Sequence, residues 1–228
     1  MTAPLRLAIF DVDGTLVDSQ ASILGAMQSA FEAVGLPLPA RQAVLGIVGL
    51  SLDQAMFHLA PEAGAEARDH LVEGYKTAFA RNRSEKGAKA SAPLYPGAAE
   101  ALAELNAVPD VLLGVATGKS RRGLNALLEG HSMETLFVTT QVADNHPSKP
   151  HPSMIETALR DTGVDPENAV MIGDTRFDME MARAAGVRGI GVSWGYHPRD
   201  ILERSADVVV EDFTALSDVL LDSWKLNK

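Results

Sequence analysis

Six short apolar runs, each near strand length and most of them free of polar alternation, recur along the chain at residues 5–10, 111–116, 136–140, 169–172, 189–192 and 208–210. A strand with one wet face alternates apolar and polar residues. An unbroken apolar run instead suits a strand buried on both faces, as in a parallel sheet covered by helices. Helical periodicity separates many of the later runs, at 120–128, 153–159 and 177–185, and Gly186 stands where the last of these helices would close. This alternation predicts a doubly wound α/β fold with a mainly parallel sheet, whose ligands bind at the carboxyl ends of the strands.

The first interval breaks the rhythm. About a hundred residues separate Phe10 from Val111, whereas a crossover connection needs roughly a dozen. Helical patterns cover 22–34, 51–59 and 65–80, a polar, small-residue stretch at 81–93 reads as a linker, and a further helix is expected at 98–105 after Tyr95-Pro96-Gly97. The expected organisation is a helical domain over residues 17–92 inserted into an α/β core made of residues 1–16 and 93–228.

Charge and composition narrow the function. With 30 acidic and 20 basic side chains the net charge is −10, a field that repels nucleic acid and anionic lipid. It also repels a phosphorylated metabolite, so a phosphate site would need its own local positive charge. The chain has no cysteine, which excludes disulfides and thiolate metal sites and fits the cytoplasm. No apolar run approaches the ~18 residues of a membrane span, and the opening stretch lacks the length and cleavage site of a signal peptide. Nothing in the sequence specifies an oligomeric state.

Four segments carry chemistry. Asp11-Val12-Asp13-Gly14-Thr15 follows the first apolar run directly. A carboxylate at Asp11 can attack phosphorus in line, and Asp13 can protonate the leaving oxygen and then activate water. Gly14 lets the chain turn sharply, and Thr15 can hydrogen-bond in that turn. Gly173-Asp174-Thr175-Arg176-Phe177-Asp178 leaves the fourth run. A strand-end carboxylate at Asp174 joins Asp11 in a site suited to a hard cation, for which Mg2+ is expected, and Asp178 lies one helical turn on. Thr117-Gly118 ends the second run, where a hydroxyl and free backbone N–H groups can cradle phosphate. Finally, Lys149 precedes Pro150 in Ser148-Lys149-Pro150-His151-Pro152, a stiff setting for a charge-neutralising lysine. His146 and His151 read as loop residues, because magnesium favours oxygen ligands.

In identity, order and placement these segments resemble the haloacid dehalogenase-like superfamily of phosphotransferases, over residues 5 to about 192. The resemblance implies a phosphatase with Asp11 as nucleophile, Asp13 as acid/base, and Thr117 and Lys149 on the phosphoryl group. It implies a metal held by Asp11, the backbone carbonyl of Asp13 and Asp174, with Asp178 nearby. Many members carry Asn where this chain has Gly118, so Gly118 offers phosphate its backbone only. The insertion is similar to the family's helical caps, and such a cap implies a small phosphorylated metabolite as substrate. Gly46, Gly49, Leu50 and Ser51 are the cap residues expected to face the site. Segments 13–19, 149–152, 173–179 and 191–197 look most like the phosphoglycolate phosphatase group. A β-phosphoglucomutase-like mutase would keep both aspartates, so it stays an alternative. A haloacid dehalogenase would not need Asp13. A phosphate-receiving signalling domain would share the aspartates, threonine and lysine but not the long insertion, and a catalytically idle binding protein is the remaining alternative.

Overall fold

The computed structural model describes residues 4–225. Six parallel strands, β1 (Arg6–Phe10), β2 (Val111–Thr117), β3 (Thr139–Val142), β4 (Ala169–Gly173), β5 (Arg188–Val192) and β6 (Val208–Val210), form one sheet in the order β3-β2-β1-β4-β5-β6. Strand order therefore reverses at β1, the central position at which doubly wound sheets open a crevice for ligands. Phe10 lies opposite both Val115 and Ile172, so the chain leaves β1, β2 and β4 at nearly one level.

Helices cover both faces. Between β1 and β2 come α1 (Gln20–Val34), α2 (Arg41–Leu45), α3 (Leu52–Leu59), α4 (Ala65–Lys86), α5 (Ala88–Ser91) and α6 (Ala98–Asn106). They are followed by α7 (Arg121–His131), α8 (Ser153–Thr162), α9 (Arg176–Ala184), α10 (Arg199–Leu202) and α11 (Phe213–Trp224). The two-residue period of β1 divides its side chains. Ala8 and Phe10 join an apolar cluster with residues of α6, α7 and α11, while Leu7 and Ile9 pack with Met154 and Ile155 of α8 and Met181 of α9. Ile23, Met27 and Phe31 of α1 meet Leu71 and Val72 of α4 in a third cluster, separate from the sheet's two. No helix among the described residues is long and apolar enough to cross a membrane.

Several boundaries differ from the sequence expectation. The run at 136–140 forms a strand only from Thr139, and Phe137 is buried in the core as an approach to it. The strand's polar residues lie inside because they satisfy one another: Gln141 donates to Thr139 and to Asp161, and Thr139 donates to Asp161. The expected linker at 81–93 is largely helical, since α4 runs on to Lys86 and α5 follows a break at Gly87. The helix α11, which carries no strong sequence signal, closes the larger cluster with Leu216, Leu220 and Trp224. Gly186 has φ 69°, the left-handed geometry expected of it beyond α9.

Leu105 of α6 is completely buried beneath the sheet. Leu105→Ala is expected to cost about 2–5 kcal/mol in denaturant unfolding; a loss under ~1 kcal/mol would mean that this face is loosely packed.

Candidate active site

The first site element is a tight turn at the end of β1. The carbonyl of Val12 accepts hydrogen bonds from the N–H groups of Thr15, Leu16 and Val17 at 3.3, 2.9 and 3.0 Å. Gly14 at its apex has φ 84°, a conformation that side chains disfavour. A Cβ there would also lie 2.2 Å from Asp174 Oδ2. Backbone presses on the carboxylates elsewhere too: a Cβ on Gly195 would come within 2.1 Å of Asp174, and one on Gly173 within 2.4 Å of Asp178. Bare backbone on several sides thus walls these two aspartates into place.

Asp11, Asp174 and Asp178 are buried, and one carboxylate oxygen of each lies within 4.8 Å of the others. Asp174 accepts from Thr15 Oγ1 at 3.0 Å and from the N–H of Tyr196 at 2.8 Å, so the Thr15 hydroxyl serves Asp174 rather than its own turn. Asp178 belongs to the capping box that starts α9: its Oδ2 accepts from Thr175 N and Oγ1 at 3.0 and 2.6 Å. Its Oδ1 accepts from Lys149 Nζ at 2.6 Å. The same ammonium stands 3.0 Å from Asp11 Oδ1, yet neither oxygen of Asp11 receives a well-aligned hydrogen bond.

Burial pushes the Asp11 carboxyl up to about 6, opposed by Lys149 and reinforced by Asp178 and Asp13. Burial, then the charges of Asp178 and Asp11, hold Asp174 well above the ordinary carboxylate range. Burial works against the charge of Lys149, but Asp11 and Asp178 outweigh it and raise its pKa. One lysine among three buried carboxylates leaves negative charge uncompensated, and the unsatisfied oxygens of Asp11 face it. An oxygen-only donor set of this kind fits a hard divalent cation. Both oxygens of Asp11 are left without a well-aligned protein donor, each oxygen of Asp174 accepts a single hydrogen bond, and those of Asp178 accept from Lys149 and twice from Thr175.

The Asp13 carboxylate lies apart from that cluster. Lys119 Nζ reaches both its oxygens, at 2.6 and 2.7 Å, and Ser19 Oγ donates to it. Tyr196 joins this group, its hydroxyl 3.1 Å from Ser19 Oγ. Lys119 and Tyr196 were not among the site residues expected from sequence. The signal was there: Lys119 follows Thr117 by two residues at a strand exit in an acidic chain. Thr117 is buried at the end of β2 and accepts from Lys119 N at 3.3 Å. His146 bonds Ser153 and Gln141, and His151 accepts from Ser153 N, so both histidines serve their loop.

The helical insertion sits over these strand ends. Ser51 N donates to Ser148 Oγ at 2.8 Å, and His197 Nε2 donates to the carbonyl of Gly46 at 3.1 Å while its Nδ1 accepts from Arg176 N at 3.2 Å. Between them lies a partly open cavity of about 460 Å³ with Asp11, Asp13 and Thr117 on the core side and Gly49, Leu50 and Ser51 opposite. Gly46 meets the core through its carbonyl instead. Gly118 is explained by the same contact: a Cβ there would lie 2.7 Å from the Gly49 carbonyl oxygen and 2.9 Å from that of Leu50.

Comparison with known proteins places the chain. The family model described as haloacid dehalogenase-like hydrolase matches residues 8–192. A protein of Dickeya dadantii named "Probable phosphatase IndB" is 36% identical over 90% of this chain and 89% of its own. A phosphoglycolate phosphatase of Nitrosococcus oceani is 31% identical over 94% of this chain and 96% of its own. The crystal structure of a hydrolase from Pseudomonas syringae is similar with a TM-score of 0.83 at 26% identity, covering 95% of this chain and 98% of that one.

The raised pKa of Asp11 has a consequence for stability. A folded-state value of about 6 against 3.8 means that the native state binds this proton more tightly. The resulting stabilisation is present below about pH 4 and is lost as pH rises through about 6. In chelator, the protein is expected to melt at a lower temperature at pH 7 than at pH 5, and by a smaller margin in Asp11→Asn. An equal margin in the two proteins would contradict this account of Asp11.

Proposed function

The chain belongs to the haloacid dehalogenase-like hydrolases, and from that footing we propose that it is a Mg2+-dependent phosphatase of small phosphorylated metabolites that carries the phosphoryl group transiently on Asp11. The observation that carries this reading is Asp11 itself, a buried carboxylate at the floor of a cavity with neither oxygen tied by a well-aligned hydrogen bond. Its pKa of about 6 leaves it mostly ionised at pH 7, and the Lys149 ammonium opposes its protonation and stands ready for the transferring phosphoryl charge.

Asp11 attacks phosphorus in line as the bond to the alcohol oxygen breaks, and Asp13 gives that oxygen its proton. Asp13 then takes a proton from water, whose oxygen attacks the acyl phosphate at phosphorus; phosphate leaves and the Asp11 carboxylate is restored. A phosphate dianion arriving at Thr117 and Lys119 competes with Asp13 for the lysine, which frees Asp13 to take up the proton it must donate. Mg2+, held by Asp11, the Asp13 carbonyl and Asp174 with Asp178 supporting them, would neutralise charge on the phosphoryl oxygens. The Gly118 backbone N–H adds a donor. The helices of residues 17–92 act as a cap that excludes water. The absence of cysteine fits work in the cytoplasm, and the names of relatives make phosphoglycolate the first ester to try.

Phosphate release from a panel of monoesters, with Mg2+ and with chelator, tests the reading. Release is expected to require Mg2+ and to fall by at least ~10³-fold in Asp11→Asn; activity within tenfold of wild type in that variant would refute it.

A further inference from the structure

One face of α4 lines the cavity. Tyr75, Phe79 and Arg83 recur at four-residue intervals, which stacks them along that face, and all three belong to the cavity wall. The inner end is fixed by contacts. The Phe79 ring centroid is 5.2 Å from Lys119 Nζ, and that ammonium is 2.6 Å from Asp13. Tyr75 stacks on Phe79 with centroids 5.7 Å apart, and after burial the charge of Asp13 is what raises its phenol pKa. Arg83 therefore lies on the side of Phe79 away from Tyr75, about 6 Å further along the helix axis.

The side chain of Arg83 is partly buried, and its guanidinium has no hydrogen-bond or ion-pair partner among the described residues. That is unexpected in a chain of net charge −10. A partly desolvated guanidinium is costly without an anion. Of the other cations on the wall, Lys76 pairs with Glu73 at 2.7 Å and Lys119 with Asp13, while Arg122 is exposed to solvent. Between the floor and Arg83 the wall is largely apolar, with Ile23, Met27 and Phe79. A volume of about 460 Å³ falls in the range of pockets that enclose ligands well beyond a two-carbon ester.

Building on the phosphatase reading, we propose that Arg83 is a specificity-determining residue that binds a second anionic group, carboxylate or phosphate, on a phosphomonoester whose leaving alcohol lays an apolar or planar body against Phe79. The phosphoryl group sits at Asp11, the alcohol runs outward along α4, and its far end meets the guanidinium, whose planar fork suits either anion.

The test compares kcat/KM, with Mg2+, for phenyl phosphate, 4-carboxyphenyl phosphate and 1,4-phenylene bisphosphate in wild type, Arg83→Gln and Arg83→Lys. Wild type is expected to favour at least one of the two esters that carry a second anionic group over phenyl phosphate by about tenfold, and the ester favoured identifies the anion as carboxylate or phosphate. That ratio is expected to collapse to within about twofold of unity in Arg83→Gln and to be partly kept in Arg83→Lys. No preference in wild type, or a preference that Arg83→Gln retains, overturns the role of Arg83. Release of phosphate from phenyl phosphate by wild type would in that case leave the phosphatase reading standing, whereas no release from any of the three esters would overturn both.

Discussion

The active end of this molecule is organised around one buried ammonium. Lys149 is almost fully enclosed and reaches Asp178 at 2.6 Å and Asp11 at 3.0 Å. Ion pairs taken out of water gain little net stability, because desolvation offsets the attraction, but breaking one strands its partner at large cost. A core built only for stability would not gather a lysine and three aspartates at the centre of a sheet. Here the two contacts of the lysine differ in kind. Asp178 is fully engaged, by Thr175 as well as by Lys149, and so anchors the ammonium. Asp11 meets the ammonium chiefly through charge, and neither of its oxygens accepts a well-aligned hydrogen bond. The lysine is fixed by one carboxylate and thereby tunes another.

Backbone supplies the rest of the precision. The capping box that starts α9 orients Asp178, and the turn after β1 and the loop after β5 close on Asp174 with glycines on both sides. Side chains that locked these carboxylates would need space that bare backbone does not. The sheet decides where this happens: reversal of strand order at β1 brings the ends of β1, β2 and β4 together, and the long first connection returns over them as helices. Close contact of that helical block with the core then limits the core in turn, as at Gly118, where a side chain would strike the loop carbonyls of Gly49 and Leu50.

The sheet and the aspartate cluster were legible in the sequence because each rests on a local signal. Apolar runs without alternation mark doubly covered strands, and Asp11, Asp174 and Thr117 stand at strand exits, with Lys149 in the loop that follows β3, where residue type and position carry the chemistry. What stayed hidden depends on contacts distant in sequence. The polar strand Thr139–Val142 is stable inside only because Asp161 and His146 meet its side chains. The stretch at 81–86 looks like a linker by composition, yet it continues α4 and places Arg83 on the cavity wall. Lys119 had no visible partner until the fold brought Asp13 to it across 106 positions of sequence.

Trapping a phosphorylated Asp11 during turnover would decide whether the phosphoryl group passes through that carboxylate. Wild-type protein turning over a phosphomonoester with Mg2+ would be quenched rapidly in acid, reduced with borohydride and mapped by peptide mass spectrometry. A reduced side chain is expected at Asp11, absent without substrate and absent in Asp11→Asn. Steady phosphate release with Asp11 unmodified, or with the label on another residue, would contradict it.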